Sequence, residues 1–236
     1  MSFLIHHRRC WQRADLAAPP ALQALQLKTD MENRQYRSFP HYTRQGYRTA
    51  RLPPALRDRL TRTWTQKRHQ AQRENYDTRY ITGNHSKDSD KPAAHILSIH
   101  EHDPELMRDI EAFIKEELVK WTGMHNLRHT ATYGIREYSD GAVLHTHVDQ
   151  YTTHILSAIV HVGSLGMRKP WHLAVQHRHM EQPEEIPFTP EVDVILYESS
   201  SLAHGRPTPL EGERFANLFV HFAPDDWDQT LKRLDL

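Results

Sequence analysis

Apolar positions follow two different rhythms on either side of residue 130. Upstream they recur every three or four residues. Leu56, Leu60 and Trp64 form one stripe, predicting an amphipathic helix over residues 54 to 74 whose Arg and Gln residues face water. Leu106, Ile110, Phe113, Ile114, Leu118 and Trp121 form a wider stripe. Asp103-Pro104 supplies an N-cap and a first-turn proline before it and Gly123 a stop after it, so a second helix is expected there, packed on the outside of a sheet. Residues 75 to 95, rich in Asn, Asp, Lys and Ser, read as a loop, and residues 1 to 45, with Pro19-Pro20 and little periodicity, as an extended arm or edge elements.

From Thr130 onward the apolar runs shorten and become rich in β-branched and aromatic residues, at 130 to 138, 143 to 148, 154 to 162, 171 to 176, 192 to 197 and 214 to 222. Turn residues separate them, as in a sandwich or jelly roll, so the expected class is mainly β with flanking helices. A chain of 236 residues is enough for one sizeable core. The division expected is an arm over 1 to 45, then a single domain over 46 to 236 with N-terminal helices and a core at about 130 to 223.

Composition narrows the function classes. No apolar run approaches the roughly 20 residues needed to span a bilayer, and mean hydropathy is -0.75, so no membrane role is expected. The opening Met-Ser-Phe-Leu-Ile-His-His-Arg-Arg-Cys has too brief an apolar patch for a secretory signal or lipid anchor. Cys10 stands alone, which rules out an intrachain disulfide framework and suits a reducing, cytoplasmic compartment. The 30 Lys and Arg balance 30 Asp and Glu, yet residues 1 to 90 carry 17 basic against 8 acidic. That basic part can attract phosphates. The acidic remainder is an equally good partner for it, so nucleic acid is not the expected ligand, and oligomeric state has no signature.

Candidate chemistry sits in Tyr138-Ser-Asp-Gly141-Ala-Val-Leu-His-Thr-His147-Val-Asp149 and, far downstream, in His204. Residues two apart on a strand point to one side, so His147 and Asp149 can converge on an ion while Val148 faces away. With His204 they would make two imidazoles and one carboxylate, the facial set that leaves positions open on non-haem Fe(II). The second segment reads Asp193-Val-Ile-Leu-Tyr-Glu-Ser, then His204-Gly-Arg, then Gly212-Glu-Arg214.

This order resembles the Fe(II)/2-oxoglutarate dioxygenases of the prolyl 4-hydroxylase type. Tyr138, Gly141, His147 and Asp149 fall on the family's first motif, and Asp193, His204, Gly212 and Arg214 on its second. The resemblance implies a double-stranded β-helix (jelly roll) oxygenase domain. Its implied cofactor is Fe(II), held by His147, Asp149 and His204, with 2-oxoglutarate and O2 as cosubstrates and succinate and CO2 as products. It also implies that Arg214 clamps the far carboxylate of 2-oxoglutarate, and that Tyr138 and His161 are well placed to hydrogen-bond a carboxylate. A carboxylate at Asp149 favours hydroxylation over halogenation.

Three departures from the family pattern stand out: Leu144 for the usual Tyr, Val192 for the Gly before Asp193, and Met167-Arg-Lys-Pro-Trp171-His172 in place of Gly-Gly-Glu-Thr. The last lies where family members shape the substrate side, making Trp171 and His172 candidate substrate contacts, and Arg206, two residues after His204, is a third. A small-molecule, amino-acid or peptide-derived substrate is therefore expected, with prolyl-type modification of a protein side chain as the alternative. A cupin-like, non-redox metal site using His145 with His147 and His204 is the competing reading. Val220 stands where nucleic-acid demethylases of this fold usually carry a second Arg.

Overall fold

A computed structural model describes residues 26–74, 80–83 and 94–235. Its elements are α1 (Asp30–Ser38), β1 (Tyr47–Ala50), α2 (Pro54–Lys67) with a following 3-10 turn, β2 (Gln72–Arg73), β3 (Ile81–Thr82), β4 (Ala94–Leu97), α3 (Ile99–His102) and α4 (Pro104–Thr122). Then come β5 (Leu127–Ser139), β6 (Val143–His147), β7 (Leu156–Leu165), β8 (Leu173–Gln176), β9 (Glu184–Ile186), β10 (Val194–Tyr197), β11 (Ala203–Arg206), β12 (Arg214–Pro224) and α5 (Trp227–Arg233).

The strands form two antiparallel sheets. One has seven strands in the order β1-β10-β7-β12-β5-β4-β2, and the other five in the order β3-β6-β11-β8-β9. Both faces of the larger sheet are buried. On β12, Ala216, Leu218, Val220 and Phe222 pack outward with the α2 and α4 residues Leu60, Trp64, Leu106, Ile110 and Ile114. Phe215 and Phe219 point the other way, into a second apolar cluster with Tyr138, Leu144, Trp171 and Tyr197. A sheet covered on both faces has no polar side to alternate with, which is why Val194–Tyr197 reads as an unbroken apolar run.

The long helix forms where its punctuation places it. The Asp103 side chain accepts from the Leu106 amide at 3.1 Å, and Gly123 closes the helix in the left-handed conformation, φ 72°. Three expectations need correction. The first helix ends at Lys67 rather than 74, its chain then turning to pair β2 with β4. Within the expected loop, Ile81–Thr82 pairs with β6, though much of 75 to 95 lies outside the described residues. Within the expected arm, Asp30–Ser38 is helical, started by a capping box in which Thr29 and Glu32 satisfy each other's backbone amides. The rest of the arm, residues 1 to 25, lies outside the described residues. Among the described residues, no helix is long and apolar enough to cross a membrane.

Candidate metal centre

His147 ends β6 and His204 lies on β11, and the two residues are direct partners across those antiparallel strands. This pairing joins segments fifty-seven residues apart. Asp149 follows just beyond β6, where its backbone amide donates to the Ser199 carbonyl at 2.7 Å. One ligand atom from each of His147, Asp149 and His204 lies within 4.8 Å of the others. The Nε2 atoms of His147 and His204 are 3.4 and 3.5 Å from Asp149 Oδ1.

Both imidazoles are fixed from behind. Nδ1 of His147 meets the His145 carbonyl at 2.8 Å, and Nδ1 of His204 meets the Leu202 carbonyl at 2.8 Å. A carbonyl can only accept, so each Nδ1 carries the proton and each Nε2 turns its lone pair toward the Asp149 carboxylate. Burial on its own would raise the Asp149 pKa. A positive charge facing the carboxylate, carried by His204 when that ring is protonated, outweighs it and holds the carboxyl well below its usual range. Burial, with the neighbouring His147, pushes His204 down. Two outward-aimed lone pairs facing an ionised carboxylate repel one another unless a cation lies between them, so this donor set fits a divalent metal.

A bulge decides which histidines take part. Between the His204–His147 and Arg206–Leu144 pairs the register of β6 against β11 slips. His145, two residues before His147, consequently turns aside, its Nε2 at 3.0 Å from Thr82 Oγ1, and it stands outside the metal-binding group. The cupin-like alternative that used His145 loses its ligand. Gly205 accommodates this crossing: a Cβ there would lie 2.9 Å from the Leu144 carbonyl oxygen and 3.0 Å from that of His145.

The centre opens into a cavity of about 880 Å³ whose walls include Glu32, Glu74, Tyr80, Tyr133, Arg136 and Phe219. Helix α1 forms part of it, since Gln35 donates to the backbone carbonyls of Asp149 (2.8 Å) and Ser200 (3.2 Å). Tyr197 donates to Asp149 Oδ2 at 3.3 Å. His221, 3.9 Å from the same oxygen, hydrogen-bonds Ser157 and packs its ring 3.7 Å from that of His154. Arg136 is clamped by Glu74 at 2.6 and 2.5 Å. Sequence reasoning missed Gln35, Arg136, Tyr197 and His221; of these, His221 left a visible signal, as a polar residue inside the apolar run Leu218-Phe-Val-His-Phe222.

Arg214 is not in this interior. It sits on the outer face of β12, where its Nε is 2.9 Å from Glu137 Oε1, beside Arg68 and the Trp64 indole, which bind the same carboxylate. The expected cosubstrate clamp is therefore corrected: strand alternation turns Phe215, not Arg214, inward. Tyr138 is fully buried and faces inward, and His161 stacks on Phe188 and Phe215, its pKa pushed down to about 4 by burial. Trp171 is buried, its indole donating to the Thr208 carbonyl at 2.7 Å. His172 lines a separate cavity of about 330 Å³ together with Trp171 and His161. Arg206 is wholly buried beside Trp171.

No protein-family model matches the chain, and no curated protein matches it by sequence. Solved structures do match by fold. A prolyl-4-hydroxylase from Pseudomonas putida superposes with a TM-score of 0.54 at 12% identity, over 75% of this chain and 91% of that one. HygX from Streptomyces hygroscopicus, determined with nickel, 2-oxoglutarate and hygromycin B bound, gives 0.52 at 8% identity, over 76% and 83%. A prolyl hydroxylase from Trichoplax adhaerens, in complex with a hypoxia inducible factor peptide, gives 0.51 at 11%, over 79% and 86%. At such low identity the likeness is one of fold, and the chain shares the jelly-roll architecture of these three structures.

Proposed function

We propose that the protein is an Fe(II)/2-oxoglutarate-dependent oxygenase that hydroxylates an unactivated C–H bond of a small-molecule, amino-acid or peptide-derived substrate. The observation that carries this reading is the convergence of His147, Asp149 and His204, with both imidazole Nε2 atoms aimed at one carboxylate oxygen. These three residues would hold Fe(II) on one side only. With iron, 2-oxoglutarate and O2 bound, the centre supplies the oxidising power for C–H hydroxylation as 2-oxoglutarate becomes succinate and CO2.

The chain's own residues supply geometry and exclusion of water. The His145 and Leu202 carbonyls keep the imidazoles in one tautomer, and Tyr197 fixes the Asp149 carboxylate. Leu144, Ile159 and Phe219 give the cavity apolar walls close to the ligands, while Glu32, Glu74 and Arg136 give it polar ones. A cavity of about 880 Å³ is in the range that takes a metabolite or a short peptide segment. Residues 46 to 236 make up the catalytic domain on this reading, with α1 contributing a wall through Gln35.

Succinate release tests the proposal. Protein loaded with Fe(II) and 2-oxoglutarate is incubated in air with free amino acids, peptides and fractionated metabolite extract. Release stimulated by at least one fraction, and absent from Asp149→Ala, is the expected result. A folded, iron-loaded protein that never turns over 2-oxoglutarate would contradict it.

A further inference from the structure

Among the described residues, one buried side-chain atom without a hydrogen-bond partner belongs to the wall of the metal cavity: Glu32 Oε1. Glu32 is 4% exposed. Its other oxygen is fully engaged, accepting from the Thr29 amide and the Thr29 hydroxyl, both at 2.9 Å, and from the Lys28 amide at 3.2 Å. The capping box of α1 thus uses Oε2 and leaves Oε1 over. A carboxylate oxygen taken out of water without a donor is costly unless a ligand supplies one. One turn further along α1, Gln35 donates to the Asp149 carbonyl at 2.8 Å. Residues three apart share a helix face and are separated by about 4.5 Å along the axis, so Glu32 is held at a fixed place beside the ligand-bearing segment.

We propose that the substrate carries a primary ammonium group and that Glu32 Oε1 receives it, which makes Glu32 a specificity-determining residue. This rests on the oxygenase reading. The charges lining the cavity support it: three carboxylates, Glu32, Glu74 and Asp149, face one guanidinium, Arg136. Glu74 is paired with Arg136, and Asp149 belongs to the metal centre. That leaves Glu32, whose side-chain hydrogen bonds come from two backbone amides and a hydroxyl, none of them a cation. An anionic substrate would meet this carboxylate without compensation. Tyr80, Tyr133 and Tyr151 line the same cavity, and tyrosine rings attract cations. A single free oxygen suits an ammonium, a compact charge content with one acceptor here; a guanidinium fork needs both oxygens of its carboxylate, and Oε2 is taken.

The test begins with metabolite extract separated on a cation exchanger at neutral pH, each pool being added in air to protein loaded with Fe(II) and 2-oxoglutarate. Succinate release should be stimulated by the retained pool, and acetylating the amines of that pool should abolish the effect. For the active component, Glu32→Gln should raise KM about 10-fold, with the loss falling on KM rather than kcat. Glutamine serves in a capping box as glutamate does, so the variant should melt with wild type. A glutamate that only capped α1 would leave KM unchanged.

Binding is read separately, without turnover. Anaerobic protein loaded with Mn(II) and 2-oxoglutarate broadens the proton resonances of small molecules held near the metal. Wild type should broaden n-butylammonium at concentrations about 10-fold below those needed for 1-butanol, and Glu32→Gln should remove the difference. Stimulation by the unretained pool, activity that survives acetylation, or no stronger broadening of n-butylammonium than of 1-butanol by wild type overturns the proposal and leaves the oxygenase reading standing; none of these results needs a variant. No succinate release with any pool, in folded protein that retains iron, overturns that reading and the proposal with it.

Discussion

The guanidinium carbon of Arg206 lies 5.2 Å from the ring centroid of Phe215, so the cation inside the jelly roll comes from β11 and the start of β12 contributes an aromatic wall. One residue earlier, Arg214 points out of the sheet to Glu137. Alternation along β12 thus turns Phe215 inward and Arg214 outward.

Glu137 is 7% exposed and is shared by Arg68, Arg214 and the Trp64 indole, which makes it a clamp between α2 and the sheet. Glu137→Ala would leave an indole N–H and two guanidinium groups without their acceptor, at a cost of about 2 kcal/mol, the arginines being partly open to water. Arg214→Met should cost under about 1 kcal/mol. Urea unfolding monitored by circular dichroism measures both, and equal effects would show that Glu137 is not the hub.

Metal affinity separates the ligands from their neighbour. Asp149→Ala should weaken Fe(II) binding by more than about 100-fold, since loss of an outer partner alone typically costs 10–100-fold. His145→Ala should bind nearly as wild type, because His145 contacts Thr82 instead of the centre. Anaerobic calorimetry with Fe(II) is the check, and the reverse ranking would restore the cupin-like arrangement.

Gly205 is pressed against the bulged backbone of β6. Gly205→Ala forces a methyl to within 3 Å of two carbonyl oxygens and should destabilise the protein by about 2 kcal/mol. Because the same strands carry His147 and His204, metal affinity should fall too. A variant with unchanged melting temperature and unchanged Fe(II) affinity would contradict the geometry.

His161 is neutral when folded, its pKa pushed down to about 4 by burial; Asn217 opposes the fall and the Arg206 charge adds to it. The unfolded chain takes up this proton near pH 6.5, and the folded chain only near 4. The neutral ring's contribution is therefore intact above about pH 6.5 and is lost progressively as pH falls from there to about 4. In metal-free protein, His161→Phe should make the dependence of unfolding free energy on pH between about 6 and 4.5 shallower by about one proton. Denaturant curves at several pH values provide the slope, and no change would mean the ring is already hydrated.

Local grammar made much of the fold legible. The N-cap at Asp103, the stop at Gly123 and the apolar stripe between them specify α4, and β-branched runs mark the central strands. Strand β11 was unreadable because its four residues, Ala203–Arg206, include no β-branched side chain and no Phe, Tyr or Trp; pairing on both sides makes it a strand. Helix α1 was hidden because its sequence, DMENRQYRS, has no apolar stripe, and contacts such as those of Gln35 hold it in place. In the site, the His-x-Asp spacing and the distant His204 were readable. The inward turn of Arg206 and outward turn of Arg214 depend on strand boundaries and bulges, which spacing alone does not specify.

The most direct test of the metal centre is anomalous diffraction at the iron edge from anaerobically grown, Fe(II)-loaded crystals. One strong peak within bonding distance of His147 Nε2, His204 Nε2 and an Asp149 carboxylate oxygen is the predicted result. A peak centred on His145, or on any histidine outside this triad, would contradict it.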